Sequence, residues 1–182
     1  MAYVAAHGIA GLSLRTLAAA IGTSHRMLIH HFGSKERLWV QIVQAVEQRE
    51  RELVLDSLAT EDLPPAEAIR ANWRRFSDPE LWPNERLFFE LYVQALLGRT
   101  PEAAVLDGIV EDWVAPIAER AIANGMPAPQ ARAQARLGVA VTRGLLLDLL
   151  ATKDVEGVNA AMEAFIELHA AWFAAADPIQ AG

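Results

Sequence analysis

An all-α fold is predicted for this 182-residue chain by three features. Apolar residues recur every three or four positions in segment after segment, which is the spacing of one buried helix face. No stretch shows the strict apolar/polar alternation of a half-buried strand. Prolines and glycines, such as Gly22, Pro65, Pro83, Gly125 and Pro127, separate the apolar segments at intervals of about one helix. Two parts are expected: an N-terminal helix-turn-helix domain over residues 1–40 and a multi-helix part over residues 41–182.

The stretch Ser13 to Leu38, SLRTLAAAIGTSHRMLIHHFGSKERL, organises the N-terminal part. Leu14, Leu17, Ala18 and Ile21 recur at helical spacing and form a predicted buried stripe. Gly22 follows where the chain must leave the helix, and glycine reaches left-handed dihedrals at little cost. Thr23 and Ser24 then offer hydroxyls to cap a second helix. That helix buries Leu28 and Phe32 and leaves Ser24, His25, Arg26, Met27 and His30 facing away from the first. The pattern is a helix-turn-helix, whose second helix enters the DNA major groove with its N-terminal residues at the base edges.

The order S-L-R-x-L-A-x-x-I-G-T-S, followed by L-x-H-H-F-x-S-K-E-x-L, resembles without gaps the DNA-binding signature of the tetracycline-repressor (TetR) family of one-component bacterial regulators. The resemblance implies that Ser13 caps the first helix of the motif and meets a phosphate, and that Arg15 reaches a base or the backbone. It implies a DNA role for Thr23, Ser24, His25, Arg26, Met27 and His30, and a phosphate contact for Lys35, with a helix N-terminus behind its charge. Two positions depart from the family pattern. Ile29 stands where the family commonly has a tyrosine, which removes one neutral hydrogen bond worth roughly 0.5 to 1.5 kcal/mol. Arg26 occupies a position that is usually small, and its fork can pair with O6 and N7 of guanine for about 1 to 3 kcal/mol of discrimination. Only Ala2 to His7 precede Gly8, under two helical turns, where relatives carry a full first helix. Either the natural start lies upstream or the domain is abbreviated, and both would weaken DNA affinity.

Charge is divided along the chain. The net charge of −7 argues against a nucleic-acid partner until it is located. Residues 1–40 hold four basic residues, Arg15, Arg26, Lys35 and Arg37, against Glu36 alone, a net of +3, which leaves −10 for residues 41–182. Phosphate neutralisation depends on the local value.

There is no cysteine, so disulfides and cysteine-bound metals are excluded. The N-terminus lacks the basic region of a signal peptide, and the longest apolar run near the C-terminus is interrupted by Arg143 and Asp148, too soon for a membrane span. A soluble cytoplasmic protein is expected.

From Ser34 to about Leu58 the pattern reads as one long helix with an apolar stripe through Leu38, Ile42, Val46 and Leu53, and with EQRERE as a solvated face. Thr60 to Pro65 is a break. Helices are then predicted over Pro65–Phe76, Asn84–Leu97, Pro101–Asn124 (bent near Pro116), Pro127–Ala151 and Val155–Ala175. Periodicity leaves open whether the last two helices pack wholly inside the subunit. The family resemblance implies that they form a homodimer through a four-helix bundle, with Val139, Leu146, Leu150, Met162, Phe165, His169 and Phe173 at the interface. Most of the large aromatics, including Trp73, Phe76, Phe88, Phe89, Tyr92 and Trp113, lie between residues 73 and 113. Such residues are ordinary core material. The resemblance implies that they line a pocket for a small apolar or aromatic effector.

An enzyme is the rival class. His7, His25, His30 and His31 cluster near the N-terminus, but adjacent helical histidines point about 100° apart, and no acidic residue stands at ligand spacing beside them. Asp107, Glu111 and Asp112 lack a neighbouring nucleophile or histidine, and no glycine-rich phosphate loop occurs. No metal, cofactor or catalytic site is therefore expected. The expected function is a DNA-binding regulator, a ligand-responsive repressor that binds a palindromic operator as a homodimer. The alternative is a dimeric small-molecule sensor that has lost DNA binding.

Overall fold

The computed structural model describes residues 13–60, 63–98 and 108–175, with the side chains of 58–60 and 170–175 excepted. The described residues form eight helices and no strand: α1 Leu14–Ala20, α2 His25–Phe32, α3 Lys35–Thr60, α4 Pro65–Phe76, α5 Trp82–Leu96, α6 Glu111–Ala123, α7 Ala128–Thr152 and α8 Val155–Ala175. The expected upstream segment and most of the expected start of α6 lie outside the described residues. Within the described part, Gly108 to Val110 is turn and bend, and α6 begins at Glu111. It runs as helix through Pro116.

Helix starts follow local chemistry. Pro65 opens α4 as its first residue, Pro83 is the second residue of α5, and Pro127 is the N-cap of α7. A proline at or beside the first helical position gives up only an N–H that has no intrahelical partner, and its fixed φ already suits the helix. The α7–α8 connection is held by side chains. Lys153 takes a left-handed φ of 64° at the α7 C-cap, and its Nζ donates to the Leu150 carbonyl at 2.7 Å. Asp154 accepts the Gly157 N–H at 2.9 Å at the start of α8.

Packing divides the chain into two compact units. The first comprises Met1–Glu52 and Glu80–Glu111. Its core joins Leu14, Leu17 and Ala18 of α1, Leu28 of α2, Leu38, Trp39 and Val43 of α3, and Leu87, Phe88 and Leu91 of α5. The helix-turn-helix thus shares one core with a helix that lies some fifty residues further along. The second unit comprises Leu53–Pro79 and Asp112–Gly182, and in it α8 packs against both α4 and α7. There Trp73 is buried and donates its indole N–H to Asn159 Oδ1 at 2.8 Å. Arg70 grips both carboxylate oxygens of Glu163 at 2.9 to 3.0 Å through Nε and also meets Glu67 at 2.7 Å.

Three expectations change. Ile21 is 51% exposed and not part of the buried stripe, because α1 ends at Ala20 and leaves Ile21 as its C-cap. The solvated face expected of EQRERE is interrupted, since Glu50 is buried. At the start of α3, Leu38, Trp39 and Val40 are all buried in succession, so packing covers more than the one stripe read from periodicity.

Candidate nucleic-acid interface

Three successive helices of the first unit begin in the same way. Ser13, Ser24 and Ser34 each stand just before a helix, and each Oγ accepts the backbone N–H three residues on, from Thr16, Met27 and Arg37, at 3.1 Å. Ser13 and Ser24 have the extended backbone that a capping residue needs. A capped N-terminus presents backbone dipoles of the sign that suits a phosphate. The capping oxygen has its lone pair engaged, and at Ser24 and Ser34 the hydroxyl hydrogen can still donate outward. Ser13 Oγ also meets Thr16 Oγ1 at 2.8 Å.

The turn between α1 and α2 is built from backbone bonds. Thr23 N–H reaches the Ala18 carbonyl at 2.9 Å and Gly22 N–H reaches Ala19 at 3.4 Å, the paired bonds of a Schellman C-cap. Gly22 takes the φ of +70° that this closure requires.

Helix α2 turns Leu28 into the core and packs Phe32 against it. At about 100° per residue, Arg26 and His30 fall on the opposite side and Met27 on a flank, and all three are exposed. Ser13, Arg15, Thr23, Ser24 and His25 are exposed as well. Among the described residues Arg15 and Arg26 meet no carboxylate, so both charges face solvent. Each of the nine residues expected to touch DNA therefore lies at the surface, with Lys35 half-buried. Lys35 Nζ stands 5.9 Å from the centroid of the buried Trp39 ring, within range of a cation–π contact. The sequence reading missed this support, although the four-residue spacing that brings the two together on a helix was visible. It also left Ile29 without a structural place; the side chain is exposed on the flank of α2.

The other expected sites divide by unit. Phe88, Phe89 and Tyr92 belong to the first, where Tyr92 stacks on Phe88 with centroids 5.7 Å apart. Trp73, Phe76 and Trp113 belong to the second, where Phe76 meets Trp113 edge-on at 5.9 Å. Among the expected interface residues, Leu146 and Met162 are buried within the subunit, because α7 and α8 pack on each other there. Val139, Leu150, Phe165 and His169 keep part of their surface, while the Phe173 side chain lies outside the described residues. Phe165 and His169 lie 5.6 Å apart, and burial holds the His169 imidazole below its ordinary pKa range. Among the described residues no three metal-ligating side chains converge, and no helix is long and apolar enough to cross a membrane.

Comparison with known proteins agrees with this geometry. Residues 1–42 match the family model "Bacterial regulatory proteins, tetR family". A search of curated proteins found no match. A crystal structure of a Rhodococcus sp. protein described as a TetR-family transcriptional regulator is similar in fold, with a TM-score of 0.71 at 20% identity over 91% of this chain and 90% of that one. Residues 1–42 are thus similar to the N-terminal domain of bacterial regulatory proteins of the tetR family, and the chain shares the fold of the Rhodococcus protein.

Proposed function

We propose that this chain is a homodimeric repressor that binds a palindromic operator and releases it when a small apolar or aromatic effector binds. The observation that carries this reading is the exposed face of α2, with Arg26 and His30 opposite the buried Leu28 and Met27 exposed beside them. In this reading Arg26 pairs with a guanine edge, while Ser13, Lys35 and the capped helix starts hold phosphates on either side. The local charge of +3 in residues 1–40 supports it against the acidic remainder.

Dimerisation is assigned to the α7–α8 pair. Val139, Leu150, Phe165 and His169 keep partial exposure, and Leu147 and Leu168 of the same helices are exposed. Two-fold pairing presents two recognition helices to successive major grooves, and hence a palindrome. Trp73, Phe76 and Trp113 of the second unit supply apolar surface for the effector. Release is then a population shift: the effector favours a dimer whose recognition helices no longer match the groove spacing. That requires different effector affinities for the two spacings, typically by about 1 to 3 kcal/mol of coupling.

The test is selection from a random duplex DNA pool at low and near-physiological salt. Enrichment of a palindrome supports the reading. If no sequence is enriched even at low salt, the chain is better read as a dimeric sensor without DNA binding, an alternative that the exposed Ile29 favours.

A further inference from the structure

Two apolar side chains stand exposed on the flanks of α2, Met27 and Ile29, each about 100° around the helix from Leu28. Met27 is 44% exposed and lies on the flank beside His30 and His31, in the first turn of the helix, whereas Ile29 lies on the other flank. Its backbone is fixed by the 3.1 Å bond from its N–H to Ser24 Oγ, so the side chain leaves from a set point in the first turn of the helix. A lone exposed apolar residue is ordinary on a protein surface. Here, however, the neighbours of Met27 one turn on, His30 and His31, are hydrogen-bonding residues, and the helix start is the part that a helix-turn-helix presents to base edges. On the floor of the major groove the apolar feature is the C5-methyl group of thymine. A flexible, polarisable thioether adapts to such a small apolar contact.

We infer that Met27 is a specificity-determining residue that packs against a thymine methyl, adjacent to the base pair addressed by Arg26. This rests on the DNA-binding reading above. Each operator half-site then contains a thymine at a fixed step from the guanine, on whichever strand faces α2.

The experiment uses the full chain and the duplex enriched by selection, resynthesised with deoxyuridine in place of thymidine at one position at a time. Deoxyuridine keeps the pairing and removes only the methyl group. Loss of one methyl contact is expected to weaken binding about fourfold per half-site at a single symmetric position. In Met27→Ala the same substitution is expected to have no effect, which makes a protein–DNA double-mutant cycle. Met27 is exposed, so the variant is expected to keep the wild-type melting temperature. The inference is overturned if deoxyuridine is tolerated at every position by the wild type, or if it weakens Met27→Ala equally. If no duplex is enriched at all, the DNA reading itself falls and this inference with it.

Discussion

At the scale of single residues, the proposed interface divides side chains assigned to bases from those assigned to phosphates. Arg26 projects from the first turn of α2, whereas Lys35 begins α3 with its charge beside Trp39. Arg26→Ala should therefore relax discrimination at one base pair, by about 1 to 3 kcal/mol. Lys35→Ala should weaken all sequences alike and reduce the slope of log K against log salt by about one. Titrations of matched and mismatched duplexes over a salt series distinguish the two, and equal effects would mean that the base-reading position is misassigned. His169 supplies a second residue-scale prediction. Its pKa is lowered in the folded chain by burial, so the unfolded chain binds the proton more readily. Stability is then undiminished above the ordinary histidine range, near 6.5, and falls as the pH drops through that value toward the folded pKa. Melting temperature measured from pH 7.5 to 5.5 should decline less steeply for His169→Gln than for the wild type; identical slopes would remove His169 as the cause.

Among elements, the contact between α4 and α8 shows how magnitude decides between two visible interactions. The Arg70–Glu163 ion pair has good geometry but remains substantially exposed, and water and salt screen it. It lowers the Glu163 pKa, so what it contributes is present above the ordinary carboxylate range and is lost as pH falls below it. The Trp73–Asn159 bond is part-buried, and removing its donor also shrinks a buried, packed side chain. Trp73→Phe should cost about 1 to 3 kcal/mol, while Glu163→Gln should shift the melting temperature much less. The reverse order in thermal denaturation would show that the ion pair holds α4 on α8. Much at this scale was legible in the sequence. The serine caps, the Gly22 turn and the Pro65 start depend on neighbours within a few residues, and Pro65–Phe76 and Val155–Ala175 match their predicted bounds. Ile21 failed because periodicity continues past the residue where the backbone stops being helical. Glu50 failed because charge patterning does not register what packs over a face.

On the scale of the whole molecule, the main feature invisible in the sequence is the shared core of the first unit. Nothing near Phe88 indicates that it packs in the same cluster as Leu28 of the recognition helix, since that pairing spans some sixty residues. Phe88 and Phe89, expected only as pocket or local core, are therefore continuous with the core beneath the helix-turn-helix. Phe88→Ala should destabilise the chain by about 3 to 5 kcal/mol and should reduce DNA affinity through loss of the ordered helix-turn-helix. Normal DNA affinity at an unchanged melting temperature would contradict that packing role. The charge division is the other molecular property, and it was fully legible: a basic N-terminal part is attached to an acidic remainder, which in the proposed reading directs the DNA to one end of the sequence. The central claim, that two subunits read one operator through paired α2 helices, is tested most directly by titrating the chain against the selected palindrome and against the same duplex with one half-site scrambled. The account predicts two subunits on the intact site and at least tenfold weaker binding to the scrambled one. Equal affinity for both duplexes, with one subunit bound to each, would contradict it.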